Sequence, residues 1–152
     1  MPNFINFHSP SIKNNNAFYL PAGEARVRIV DDRDIAAVAV KALSLDGIKK
    51  YHNKTYLITG PEDLSYGGMA EILSGVTYKK IEYVNISDDN SRGGMKENGM
   101  DDWLIDTILE LNDYFRKGYA SQVSSAVKEV TGIRFKSFNQ FASNYVEFFR
   151  LY

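Results

Sequence analysis

The chain has 152 residues, 18 basic and 19 acidic side chains and a net charge of −1, which fits one domain with its own core and argues against a dedicated nucleic-acid binder. An apolar share of 44% argues against global disorder, and the lack of cysteine excludes disulfides, thiolate catalysis and zinc–thiolate sites. No apolar run approaches the ~20 residues that span a bilayer, and MPNFINFHSPSIKNNN lacks the features of a signal peptide, so the expectation is a soluble, cytoplasmic protein without a membrane partner.

Residues 1–16 are polar, end in the Asn14–Asn16 triplet and read as mostly irregular, with Phe4 and Phe7 as anchors. Ala17–Leu20 is a short apolar run stopped by Pro21 and Gly23, which predicts a strand and a turn. Arg26–Val30 alternates charged and apolar side chains, the period of a half-buried strand. Asp31–Leu45 predicts a helix. Asp31 or Asp32 caps it, the other acids of DDRD suit the positive end of its dipole, and Gly47 stops it. Ile35, Val38, Ala39, Ala42 and Leu43 recur at helical spacing, and the alanines permit close packing on a sheet.

Thr55–Thr59, TYLIT, ends at Gly60–Pro61. Its lack of alternation predicts a strand buried on both faces, as in a parallel sheet. Ser65–Leu73 predicts a short helix weakened by Gly67 and Gly68. Lys80–Ile86 predicts a strand, with Ile81, Tyr83 or Val84, and Ile86 alternating. Residues 87–100 are acidic, then glycine-rich, and read as a poor helix or a loop. From Asp101 the chain reads as helical to its end, with one stripe closed by Gly118 and a second, Val123, Val127 and Val130, closed by Gly132. Ser137 and Gln140 form a capping-box pattern, followed by an aromatic face of Phe138, Phe141, Tyr145, Phe148 and Tyr152. Strands and helices alternate and a helical tail follows, which is an α/β pattern.

The direct search for chemistry returns little. There is no G-x-G-x-x-G, no P-loop and no G-x-S-x-G elbow. His8 and His52 are isolated, read as surface or turn residues, and predict no metal site. Short-chain dehydrogenase chemistry needs a Tyr with a Lys four residues on. Tyr51–Lys54 and Tyr114–Lys117 are three apart, so neither fits. DDRD reads as a helix start and Asp88–Asp89 as a solvated turn.

The segment FYLPAGEARVRIVDDRDIAAVAVKAL resembles the NmrA-like branch of the atypical short-chain dehydrogenases, in which a glycine turn, a short strand and a D-x-R-D-I-A helix start follow one another. HNKTYLITGPEDLSYGGMAEILS is similar to the family's strand and turn that end in T-G-P, and VTGIRFKSFNQFASNY to its T-G-x-x-p-x-s-f-x-x-F ending. KKIEYVNIS and GMDDWLIDTILELNDYFRKGYAS resemble the strand and helices of its substrate-side lobe. The match begins at Met1-Pro2-Asn3-Phe4, like the family's M-x-N-F, so the resemblance is to the C-terminal half.

That resemblance implies an α/β fold: the C-terminal portion of a Rossmann-like unit, with the last parallel strand and a mainly helical substrate-side lobe. It implies a single domain, residues 1–60 on the Rossmann side and 61–152 in the lobe. It implies the substrate-side part of an NAD(P)H-dependent reductase, transferring hydride to a quinone or carbonyl-type electrophile, with NADP or NAD as cofactor. Asn3 and Phe4 would lie at the nicotinamide end, Trp103 and Tyr114 would line the substrate pocket, and Asp34 would cap a helix. The glycine-rich phosphate turn and a Tyr/Lys pair are not in this sequence. The expected partners are therefore a missing N-terminal half or a second copy, with a fragment or truncated gene ranked first. The alternative is a non-catalytic, redox-sensing module that acts through a protein partner.

Overall fold

A computed structural model describes residues 1–150. Residues 2–15, expected to be irregular, form a helix, α1 (Pro2–Asn15). Pro2 stands in the first turn, where its missing N–H costs nothing. Phe4 and Ile12 are both buried, so a thin apolar stripe suffices to dock the helix. Asn16 stops it in the left-handed region, at φ 51, and its N–H donates to Ile12 O.

The apolar run after this stop is strand β1 (Ala17–Leu20), and the expected strand at 26–30 shortens to β2 (Arg26–Val27). Helix α2 (Asp32–Leu43) is capped by Asp31, whose side chain accepts from Arg33 N. Gly47 does not end it. The chain breaks at Ser44 and restarts as α3 (Leu45–Tyr51), with Gly47 inside, where a Cβ would sit 1.9 Å from Lys41 O.

Strand β3 (Leu64–Ser65) leads into α4 (Tyr66–Thr77), which outlasts its expected length. Gly67 and Gly68 fall in the first turn, and the Ser65 side chain accepts from Gly68 N there. Strand β4 (Glu82–Asn85) follows as expected. Residues 88–97 are a true helix, α5 (Asp88–Glu97), capped by Ser87, so Asp88 and Asp89 stand in its first turn. The helical tail divides into α6 (Asp102–Arg116), α7 (Ala126–Thr131) and α8 (Phe138–Asn144), and a 3-10 turn, Val146–Phe148, closes the described chain. The Ser137–Gln140 capping box is present at α8. Tyr152, placed by the sequence on the aromatic face, lies outside the described residues.

The parallel pair is β1 with β4, in register from Ala17 opposite Glu82 to Leu20 opposite Asn85. β2 and β3 pair antiparallel. The expected strand Thr55–Thr59 is a correction: it runs unpaired. Its burial alternates, with Tyr56 and Ile58 packed on Val38, Val127 and Val130 and Leu57 turned outward, 52% exposed. One face is covered, not two, because no described strand lies beside it.

The main core joins α1, β1, α4 and α8 through Phe4, Phe18, Leu73, Phe138 and Phe141, so it draws on both sides of residue 60. Gly60 ties the unpaired segment to the β2 side, its N–H donating to Arg28 O at 3.1 Å. A Cβ there would lie 1.9 Å from Ile29 O, which is backbone and cannot swing away. Gly60→Ala is expected to lower stability by about 2 kcal/mol, read as a lower midpoint in urea. Among the described residues no helix is long and apolar enough to cross a membrane.

Candidate functional site

The loop after β1 is held from three sides. Gly23 adopts φ 54, and its N–H donates to Asn85 Oδ1 at 2.8 Å. The Tyr83 hydroxyl donates toward Gly23 O at 3.1 Å and Leu20 O at 3.3 Å. Burial pushes that phenol above its ordinary pKa, which keeps it a neutral donor. Arg116, at the end of α6, donates to Pro21 O and forms a two-pronged pair with Asp88 at 2.9 and 3.1 Å.

This loop forms one wall of a cleft of about 450 Å³. Phe115, Arg116, Gly118 and Ser121 form the other wall, with Arg26 and Asp63 at its edge. Arg26 Nε donates to Asp63 Oδ2 at 2.8 Å, while Asp63 Oδ1 is buried with no hydrogen-bond partner among the described residues. Sequence reasoning does not single out Arg116 or Asp63. Both fall inside segments that resemble the family, yet no spacing marks them, and they meet the loop from far along the chain.

A second cleft, of about 420 Å³, is lined by Met1, Pro2, Asn3, Val30, Asp32 and Ile35. Asn3 thus stands at an open cleft. Phe4, its neighbour, does not. It is 7% exposed and packs edge-on against Phe18 at 5.0 Å and Phe138 at 5.4 Å. His8 also departs from its surface reading, since its ring lies 4.9 Å from Phe4 and 5.6 Å from Phe18. Desolvation lowers its pKa to about 4.

Trp103 and Tyr114 share one face of α6, because eleven residues close to within ~20° of three full turns. They are also roughly 16 Å apart along it. Tyr114 stands beside Phe115 and Tyr119, with ring centroids 6.5 and 5.1 Å away, near the mouth of the first cleft. Trp103, 75% exposed, is at the far end of the helix. One small ligand does not touch both.

The DDRD acids are structural. Arg33 holds Asp31 with a two-pronged pair at 2.8 and 2.7 Å, and those hydrogen bonds lower the Asp31 pKa to about 2. Asp34 is fully buried and accepts from Lys136 N at 2.8 Å and Lys136 Nζ at 2.9 Å. Among the described residues no cluster of His, Asp or Glu is arranged to hold a metal ion.

No protein-family model matches the chain. The NAD(P)H azoreductase of Xenophilus azovorans is 36% identical over 89% of this chain and 46% of its own length. YesF, an uncharacterized oxidoreductase of Bacillus subtilis, is 33% identical over 94% of this chain and 49% of its own. The chain matches the C-terminal half of an NmrA-like NAD(P)-binding reductase fold. The NADPH complex of an Escherichia coli quinone oxidoreductase shares that fold. It superposes with a TM-score of 0.80, at 20% identity, over 94% of this chain and 49% of its own. The NmrA-like chain described here therefore spans about half the length of the relatives it matches.

The residues of this half fit only part of a dinucleotide. The Asn3 cleft offers a carboxamide and apolar walls, which suit a nicotinamide. It is lined by Asp32 and no basic side chain, and the sequence has no glycine-rich turn, so nothing here fits the pyrophosphate.

Proposed function

We propose that this chain forms the substrate side of an NAD(P)H-dependent reductase that reduces a quinone or carbonyl-type electrophile. The observation that carries this reading is the 36% identity to an NAD(P)H azoreductase across 89% of the chain. A bound nicotinamide supplies a hydride, and a proton from solvent completes reduction of the acceptor.

The chain's own residues bind and orient. The Asn3 carboxamide is placed to hold the nicotinamide amide at its cleft. Tyr114 and Phe115 give a flat aromatic acceptor an apolar wall. Trp103 shields the distal end of the lobe. The site works in the cytoplasm on a small molecule.

The test joins this chain to the N-terminal half of the Xenophilus azovorans enzyme and follows NADPH oxidation with a naphthoquinone. Turnover is expected, and Asn3→Ala should lower it about tenfold or more, with most of the loss in NADPH affinity. A fusion that binds NADPH and reduces neither quinone nor carbonyl acceptors overturns the reading.

A further inference from the structure

We propose that the outer face of α6 pairs antiparallel with the same face of a second copy of this chain, so that Trp103 of each copy closes the acceptor cleft of the other. The pairing stands on the surface itself, and the role given to the cleft rests on the reductase reading above.

The first observation is an apolar arc that nothing described covers. Ile105, Leu109 and Asn112 turn inward and are buried. At ~100° per residue, Trp103, Leu104, Thr107, Leu111 and Tyr114 share an arc of about 100° on the opposite side of the helix. All five are exposed. Thr107 is the one polar member, and its hydroxyl donates to Trp103 O at 2.9 Å, so it is satisfied within the helix. Glu110 and Asp106 follow beyond Trp103 as a charged rim.

The second observation is the order of charge along the helix. Asp101 and Asp102 stand at its start, Arg116 and Lys117 at its end. A parallel neighbour would set like charges and like dipole ends together. An antiparallel copy sets acid beside base and opposes the dipoles. Asp102, Arg116 and Lys117 already hold partners in their own chain, so these charges choose orientation more than they add affinity.

The register follows from the same face. A two-fold axis at the level of Leu109 sets Thr107 of one copy over Leu111 of the other, and Trp103 over Tyr114 to within ~2 Å along the helix. Tyr114 packs with Tyr119, ring centroids 5.1 Å apart, near the mouth of the first cleft, and an indole laid there extends that aromatic pair. Trp103 and Tyr114, too far apart in one chain to share a ligand, meet at one site in the pair. A face of fifteen residues lies at the small end of specific interfaces, so the expected association is reversible and micromolar.

The experiment uses the 152-residue chain, whose single tryptophan reports the contact. As concentration rises through the micromolar range, the sedimentation mass is expected to double while Trp103 emission moves to the blue. Thr107→Lys, at an exposed position outside the cleft, should abolish both and leave melting of the dilute chain unchanged. The chain has no cysteine, so Trp103→Cys and Tyr114→Cys test the register. Mixed and oxidised in air, they should form a disulfide-linked pair. Neither should do so alone, because like positions then lie roughly 15 Å or more apart, beyond disulfide reach. Monomer mass at every concentration overturns the proposal. So does a dimer whose Trp103 emission stays fixed, or whose cysteine variants crosslink alone. In the fusion to the N-terminal half of the azoreductase, blue emission at monomer mass assigns the face to that half and overturns it too. Fusions carrying Trp103→Ala or Tyr114→Ala should each turn over about tenfold more slowly. Their equal mixture should regain about a quarter of the activity, because half of the pairs are mixed and one of the two sites in each is whole. Pairing without that regain overturns the shared site. Pairing in a fusion that binds NADPH and reduces no acceptor removes the reductase reading and keeps the pairing.

Discussion

Lowering the pH from 7 to 4 is expected to remove about 3 kcal/mol of stability through His8 alone. The imidazole packs beside the rings of Phe4 and Phe18, and among the described residues its ring nitrogens make no hydrogen bond. Desolvation therefore penalises the charged form and lowers the pKa from 6.5 to about 4. Above pH 6.5 both folded and unfolded chains hold the ring neutral, and His8 adds no pH dependence. Between 6.5 and about 4 only the unfolded chain takes the proton, so stability falls as pH falls. Below about 4 the folded state is protonated too, and the loss levels off. The measurement is the urea midpoint at half-unit steps from pH 7 to pH 3.5. His8→Phe keeps an aromatic ring in the slot and should flatten the curve between pH 6.5 and 4. An equally steep curve in His8→Phe would move the effect to the carboxylates. Asp31 adds little above pH 4, because in the unfolded chain its carboxyl takes a proton only near 3.8; below that, Arg33 keeps the folded carboxyl ionised down to about 2 and stability falls further as pH falls.

His8 also marks the boundary of what the sequence discloses. An isolated histidine in a polar stretch reads as surface, and α1 reads as irregular, because only Phe4 and Ile12 of its fourteen residues are buried. What decides the helix is tertiary: β1 and α8 supply the apolar wall that the stretch itself lacks. Local chemistry fares better where it is self-contained. Asp31 caps α2, Ser137 and Gln140 close a capping box, and Ala17–Leu20 with Lys80–Ile86 supply the parallel pair. Thr55–Thr59 is instructive in the opposite sense. Its lack of alternation predicts burial on both faces, yet Leu57 is open to solvent. Among the described residues no strand lies beside this segment, so its outer face is left to solvent. The candidate site divides the same way. Asn3 is reachable from the family resemblance and lines a cleft, while Phe4, one residue on, turns into the core. The wall built by Arg116, Asp88 and Asp63 depends on contacts across the chain, and no spacing announces it.

Asp34→Ala is expected to cost about 3 kcal/mol, near 10 °C in melting temperature for a chain of this size. The carboxylate is fully buried and divides its oxygens between two donors of one residue, Lys136 N and Lys136 Nζ. Truncation leaves both unpaired, and losing one partner of a buried charged pair costs more than the pair contributes net. Because the Lys136 side chain keeps 29% of its exposure, its ammonium recovers some hydration, which places the loss at the lower end of the range for such deletions. Lys136→Met separates the two bonds. The backbone N–H stays paired, but the fully buried carboxylate loses its counter-charge, so a cost of the same order, about 3 kcal/mol, is expected. The effect should spread along the chain. Lys136 directly precedes the Ser137 cap of α8, and Phe138 N donates to Glu62 Oε2 at 2.8 Å. Releasing Lys136 from α2 should therefore loosen the start of α8, and amide exchange at Phe138–Phe141 should quicken in Asp34→Ala and much less in Lys136→Met. Equal quickening of exchange at Phe138–Phe141 in the two variants would mean that the ammonium, not the backbone clasp, fastens α8 to the DDRD turn.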